Sequence, residues 1–212
     1  MKKFSFLSRV FALLFFITVY SQANQSPFLL SEDVIIDKRA LNKITEIGTE
    51  VKSKLGVDIY IYAKTKLSQN EIKDMDQRIQ IIKTTESNLI NKLNGSYVLM
   101  TLALDFTHVN ILASDDIKHL IDKNDVLNGY VIPLLASKDK NTLYAKASAA
   151  MLNGYAQIGD VLAESKGIKL ESSIGSGGKT TGTIWKMFMY TLVLGGIVLY
   201  TIAILRQKKF KK

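Results

Sequence analysis

The chain has 212 residues, a formal net charge of +9 and no cysteine. The missing cysteine excludes a disulfide framework, cysteine-ligated zinc and a thiol nucleophile together. The charge sits at the ends: Lys2, Lys3, Arg9, Lys186, Arg206, Lys208, Lys209, Lys211 and Lys212 account for the whole excess, because no Asp or Glu lies in 1–23 or 186–212. Residues 24–185 are therefore neutral overall, and the basic balance predicts no nucleic-acid partner, which requires a basic face on the folded domain.

The N-terminus reads as a signal peptide over 1–23. A positive start precedes the apolar run Val10–Tyr20, and Ser21-Gln22-Ala23 supplies small residues for cleavage after Ala23. Ser31 to Leu55 then reads as a helix after a short extended lead. Leu41, Ile44, Ile47 (or Gly48), Val51 and Leu55 recur every three to four residues, with Gly56 as the stop. Val57 to Lys64 alternates, Val57, Ile59, Ile61 and Ala63 on one face and Asp58, Tyr60 and Tyr62 on the other, which predicts a strand whose tyrosines are covered by a helix.

Ser68 and Glu71 form a capping-box pattern, and Ile72, Met75, Ile79, Ile82, Leu89 and Leu93 predict the buried stripe of a long helix stopped by Gly95. Tyr97 to Leu104 is a continuous apolar run, as suits a central strand. Asp105–His108 turns it into a third strand, Val109 to Ala113. A short helix is expected over about Asp115–Asp122, and another from near Asn124 that Pro133 kinks. A last helix is expected over Asn141–Ser165, with Leu143, Ala147, Ala150, Tyr155, Ile158 and Leu162 inward.

Residues 167–183 are rich in Gly, Ser and Thr and read as a flexible linker. Gly175-Ser176-Gly177-Gly178-Lys179-Thr180 looks like a phosphate loop, but Ser173 stands where that motif needs Gly, and no strand precedes it. Residues 184–205 read as a transmembrane helix. Met187–Leu205 is nineteen residues without a charge, about 28 Å of helix against a hydrocarbon thickness of about 30 Å. The basic tail 206–212 predicts a cytoplasmic C-terminus. The chain is thus expected as a single-pass protein of a bacterial cytoplasmic (inner) membrane, its domain on the periplasmic side. The element order predicts an α/β fold, a small mixed β-sheet covered by helices on both faces (an α/β/α sandwich).

Leu29-Leu30-Ser31 opening a helix, Leu55-Gly56-Val57-Asp58-Ile59-Tyr60-Ile61, the Asn94-Gly95 step, the hairpin to Val109–Ala113 and Val131-Ile132-Pro133 together resemble the TPM domain family, across the extracytoplasmic domain 24–166. The resemblance implies a fold of this kind followed by one membrane helix and, for some relatives, metal-dependent phosphatase activity. The sequence departs from the family where the acids would be. Asn24–Phe28 lacks the usual Asp, and Val109–Asp116 lacks the usual Glu- and Gly-rich run.

Few residues are placed for chemistry. His108 and His119 are the only histidines and lack metal-ligand spacing. Asp105, Asp115 and Asp116 are the candidate ligands for a hard cation, Ca²⁺ or Mg²⁺, if the hairpin brings them together. Otherwise Asp105 is a turn residue and the pair opens a helix; Asp122 and Asp125 carry the same ambiguity. No catalytic or cofactor-binding residue is assigned. The reading is a non-enzymatic accessory or assembly module that holds the lipid bilayer through its C-terminal helix and docks a membrane or periplasmic protein; the alternative is a metal-dependent phosphatase-like hydrolase.

Overall fold

A computed structural model of the chain describes residues 26–33 and 35–175. The expected signal peptide, transmembrane helix and basic tail, and the linker beyond Gly175, lie outside the described residues. Among the described residues no helix is long and apolar enough to cross a membrane.

Helix α1 (Lys38–Leu55) begins later than the hydrophobic pattern implied, because Asp37 caps it, accepting from Arg39 N and Ala40 N at 2.9 Å each. Ala40, Ile44, Ile47, Gly48, Val51 and Leu55 form its buried stripe, and Gly56 at φ 70° ends it in the left-handed conformation. Strand β1 (Asp58–Lys64) follows, with Ile59, Ile61 and Ala63 fully buried. The lead segment runs parallel along its edge: Phe28 O accepts from Ile61 N, Leu30 N donates to Ile61 O, and Ser31 Oγ accepts from Ala63 N. An otherwise open sheet edge is thereby closed.

Strand β2 (Tyr97–Ala103) is buried from Val98 onward. It pairs parallel with β1, Asp58 against Tyr97, and antiparallel with β3 (His108–Ala113), Met100 against Ile111. The fold is therefore α/β, a mixed three-stranded sheet in the order β1-β2-β3 with helices. Val98, Met100 and Leu102 face the core shared with α1 and with the last helix, where Gly154 leaves room for Met100 and Val131.

Four sequence expectations are corrected. The helix after β1, α2 (Met75–Ile90), has no buried residue; Met75 is 63 % exposed and Ile79 41 %. The Ser68–Glu71 capping box does not form. Ser68 Oγ accepts from Asn70 N, Arg78 Nε holds Ile72 O at 2.6 Å outside the helix, and Asp74 is the cap. The helix expected over Asp115–Asp122 reduces to one 3₁₀ turn, Lys118–Leu120, because Asp122 caps the next helix by accepting from Asn124 N and Asp125 N. That helix runs as α3 (Lys123–Val126), a π turn (Leu127–Val131) and α4 (Ile132–Leu135), the irregularity falling just before Pro133, which has no N–H to donate. Finally, α5 (Leu143–Ser165) starts under Thr142, and Leu143 points outward at 52 % exposure.

The chain past Ser165 folds back instead of leaving as linker. Ile168 N donates to Ala163 O, Leu170 is buried beside Gly159, and the compact unit ends at Ser173. Glu50 of α1 clamps this return. Its carboxylate accepts from Glu171 N and Ser172 N at 2.8 Å, from the Ser172 hydroxyl, and pairs with Lys54 at 2.7 Å. Burial alone would push the Glu50 carboxyl up; Lys54, Ser172 and the two N–H donors outweigh it and hold the pKa at about 2. A depressed folded pKa contributes stability that is fully present above the ordinary value of 4.5 and is lost as pH falls toward 2. Glu50→Gln is therefore expected to destabilise by about 1–2 kcal/mol at pH 7. Urea denaturation should show that gap closing between pH 4.5 and pH 2, whereas a gap independent of pH would contradict the clamp.

Candidate functional site

The hairpin register decides the fate of the candidate cation ligands. Ala103 pairs with His108 at its turn end and Val98 with Ala113 at the other. Asp105 lies in the turn, where Oδ2 accepts from Leu67 N at 3.0 Å and Oδ1 is buried with no partner among the described residues. Asp115 and Asp116 follow the far end of β3. Asp115 is 96 % exposed and pairs with Lys118 at 2.8 Å, and Asp116 accepts from the Ser96 hydroxyl. The strand between separates Asp105 from the pair by about 17 Å at ~3.3 Å per residue. The three do not form one site and do not fit a shared Ca²⁺ or Mg²⁺. Among the described residues no group of three or more His, Cys, Asp or Glu is placed to hold a metal.

The structure instead gathers polar groups on the sheet face that looks away from the core. Thr101 and Asn110 are cross-strand partners and His108 lies two pairs along, so all three side chains share that face. Glu86 of α2 reaches down to them. It accepts from the Thr101 hydroxyl at 2.7 Å and from Asn110 Nδ2 at 3.2 Å on both oxygens, and it meets His108 Nε2 at 3.0 Å. Burial pushes the Glu86 carboxyl up, but His108, Thr101 and Asn110 outweigh it and hold it below the usual range. Thr101, His108 and Asn110 all meet Oε1, while Oε2 carries only the 3.2 Å contact with Asn110, and a carboxylate held low in this way is a weak base. The cluster works as a clamp for α2. His119 lies in the exposed 3₁₀ turn and takes no part.

Beside the hairpin turn, Arg78 lies 5.7 Å above the Phe106 ring and, with Lys66 and Asp105, lines a small pocket of about 150 Å³. A larger groove of about 420 Å³ opens at the same end of the sheet. Leu102, Leu104, Val109, Ile132, Leu135 and Leu143 line most of it, and His108 sits at its edge. Ile132 is 39 % exposed and Tyr144, next to Leu143, 50 %. The volume falls within the range of about 300–1,000 Å³ usual for binding clefts.

The chain leaves the domain at the opposite end. Lys166 Nζ donates to Leu55 O, just before β1 begins, and Ser173 Oγ donates to Asp160 near the end of α5. Helix α5 runs antiparallel to β1, so its start, at Leu143, lies with the groove.

No family model matches the chain, and no curated protein does. Among solved structures the chain is similar to the solution NMR structure of the N-terminal domain of a protein from P. gingivalis, at 13 % identity, covering 68 % of this chain and 86 % of that one, with a TM-score of 0.49.

Proposed function

We propose that this chain is a TPM-like, non-enzymatic docking module, carried on the periplasmic face of a cytoplasmic membrane by a single C-terminal span. The observation that carries the reading is the open apolar groove where β2 ends and β3 begins. Its aliphatic lining has no covering element among the described residues, which is the form of a surface that receives a partner. The charge distribution supports the anchor: all net charge lies outside 24–185, with five cations closing the chain behind nineteen uncharged residues. The separation of Asp105 from Asp115 and Asp116 removes the specific support for a phosphohydrolase.

The topology and the docking are tested together on native membranes. Protease added to spheroplasts should digest the domain and spare an epitope on the 206–212 tail, and a chain ending at Gly178 should appear in the soluble periplasmic fraction. Amine-reactive crosslinking of the intact membranes should shift the full-length chain into one discrete heavier product. A protected domain, a membrane-bound truncation or an unshifted chain would overturn the corresponding part.

A further inference from the structure

The groove is more specific than an apolar cleft. Ala136 and Leu143 both line it, so the loop 137–142 that joins them leaves and returns at its edge. That loop carries Lys138 and Lys140, both exposed and without an acidic partner among the described residues. Its one acid, Asp139, is already engaged: it pairs with Lys146 at 3.4 Å and accepts from the Ser137 hydroxyl and from Asn141 N. Lys146 is also committed, donating to Ser137 O at 2.6 Å. Lys138 and Lys140, two and three residues from the lining residues Ala136 and Leu143, thus add two cations without an acidic partner among the described residues next to a lining of leucine, isoleucine and valine.

We infer that the groove binds an acidic, aliphatic segment of a partner protein, whose apolar side chains fill it and whose Asp or Glu residues meet Lys138 and Lys140. The inference rests on the docking function proposed above and names the chemistry of what is docked. A second copy docking groove to groove is disfavoured because a two-fold contact sets Lys138 and Lys140 against themselves. An acyl chain is disfavoured because the cleft is open, with Ile132 and Leu143 39 % and 52 % exposed along it; a lipid tail requires enclosure, whereas a protein segment covers such a lining with its own backbone.

The test uses the full-length chain in its native membrane, with a photoreactive phenylalanine analogue at Ile132 or Leu143 and, as control, at Asp115 on the opposite end. The first two positions should crosslink to one protein and the control should not. Mass spectrometry of the joined peptide should show aliphatic residues with at least one Asp or Glu. The charge-reversed variant Lys138→Glu/Lys140→Glu, whose changes are on the surface and should leave the melting temperature unaltered, should reduce the yield about tenfold, and raised salt should reduce it in the unaltered chain. Crosslinking to lipid, to a second copy or to a segment without acids would overturn the inference, as would a yield indifferent to the charge reversal. If amine-reactive crosslinking still captures a partner while Ile132 and Leu143 stay silent, the groove assignment fails and the docking function stands; if neither gives a product, both fail.

Discussion

Replacing Tyr155 by alanine is expected to destabilise the domain by about 3–5 kcal/mol, the range for deleting a buried aromatic side chain. Tyr155 is fully buried, and α1 approaches it at Gly48, where any side chain would collide with the Tyr155 hydroxyl and the Phe28 ring. The hydroxyl has its own task. Ile61 bonds the lead segment through both its N–H and its carbonyl, and Ile59, two residues earlier, points the same way past the point where that segment begins. Tyr155 donates to Ile59 O at 2.9 Å and so completes the sheet edge with a side chain. Burial pushes its phenol far up, which keeps it a donor throughout the working range. Tyr155→Phe keeps the ring and strands the carbonyl, and should cost about 1–2 kcal/mol. Urea denaturation separates the two terms; an alanine variant within 1 kcal/mol of the unaltered chain would refute this account of the core.

Replacing Glu86 by alanine should cost about 2–4 kcal/mol and act on one helix. α2 buries no side chain completely, so the contacts of Glu86 with Thr101, His108 and Asn110 are its main tie to the sheet. Amide exchange in 75–90 should accelerate by more than tenfold in the variant while α5 and β2 keep their protection. The pH dependence follows from the depressed carboxyl: its contribution is complete above the ordinary glutamate value of 4.5 and is lost as pH falls through the lower folded value. Uniform acceleration across the domain would mean that Glu86 supports the core and not α2 alone.

Periodicity made much of this fold legible. The stripe of α1, the alternation of β1, the unbroken apolar β2 and the inward face of α5 each state a burial pattern that one packing satisfies, and Gly56 marks a stop that only a positive φ explains. The stripe from Ile72 to Leu93 misleads because a moment names an apolar side without showing that anything large enough covers it. Composition likewise assigned 167–183 to a linker, whereas Leu170 and Ser172 pack onto the domain; Ile168, Leu170 and Ile174 were the apolar signals in that stretch.

The polar residues were harder because register, not proximity in sequence, decides who meets whom. Asp105 and Asp115 flank the one strand β3, and the β2–β3 pairing holds it extended and sends them to opposite ends. Glu86 had no local mark as one of two acids on its helix. The available signal was the set it serves, Thr101, His108 and Asn110, polar side chains on one face of an apolar hairpin. The groove was invisible because the end of β2, the start of β3, α4 and the start of α5 each contribute only one or two of its walls.

A phosphate-release assay on the purified domain 24–173 tests most directly whether the protein docks or catalyses. Phosphoryl transfer at neutral pH requires a cation or basic clamp on the transferring charge and a positioned nucleophile or water. Asp105, Asp115 and Asp116 are divided between two ends of a strand, and Glu86 is tied to Thr101, His108 and Asn110. The expected result is no phosphate released from generic phosphoesters above a blank, with or without Ca²⁺ or Mg²⁺, and no thermal shift with either ion, although a cation at a hundred times its Kd would stabilise the fold by about 2.7 kcal/mol. Metal-dependent turnover abolished by Asp115→Ala or Asp116→Ala would contradict the docking account and establish a hydrolase.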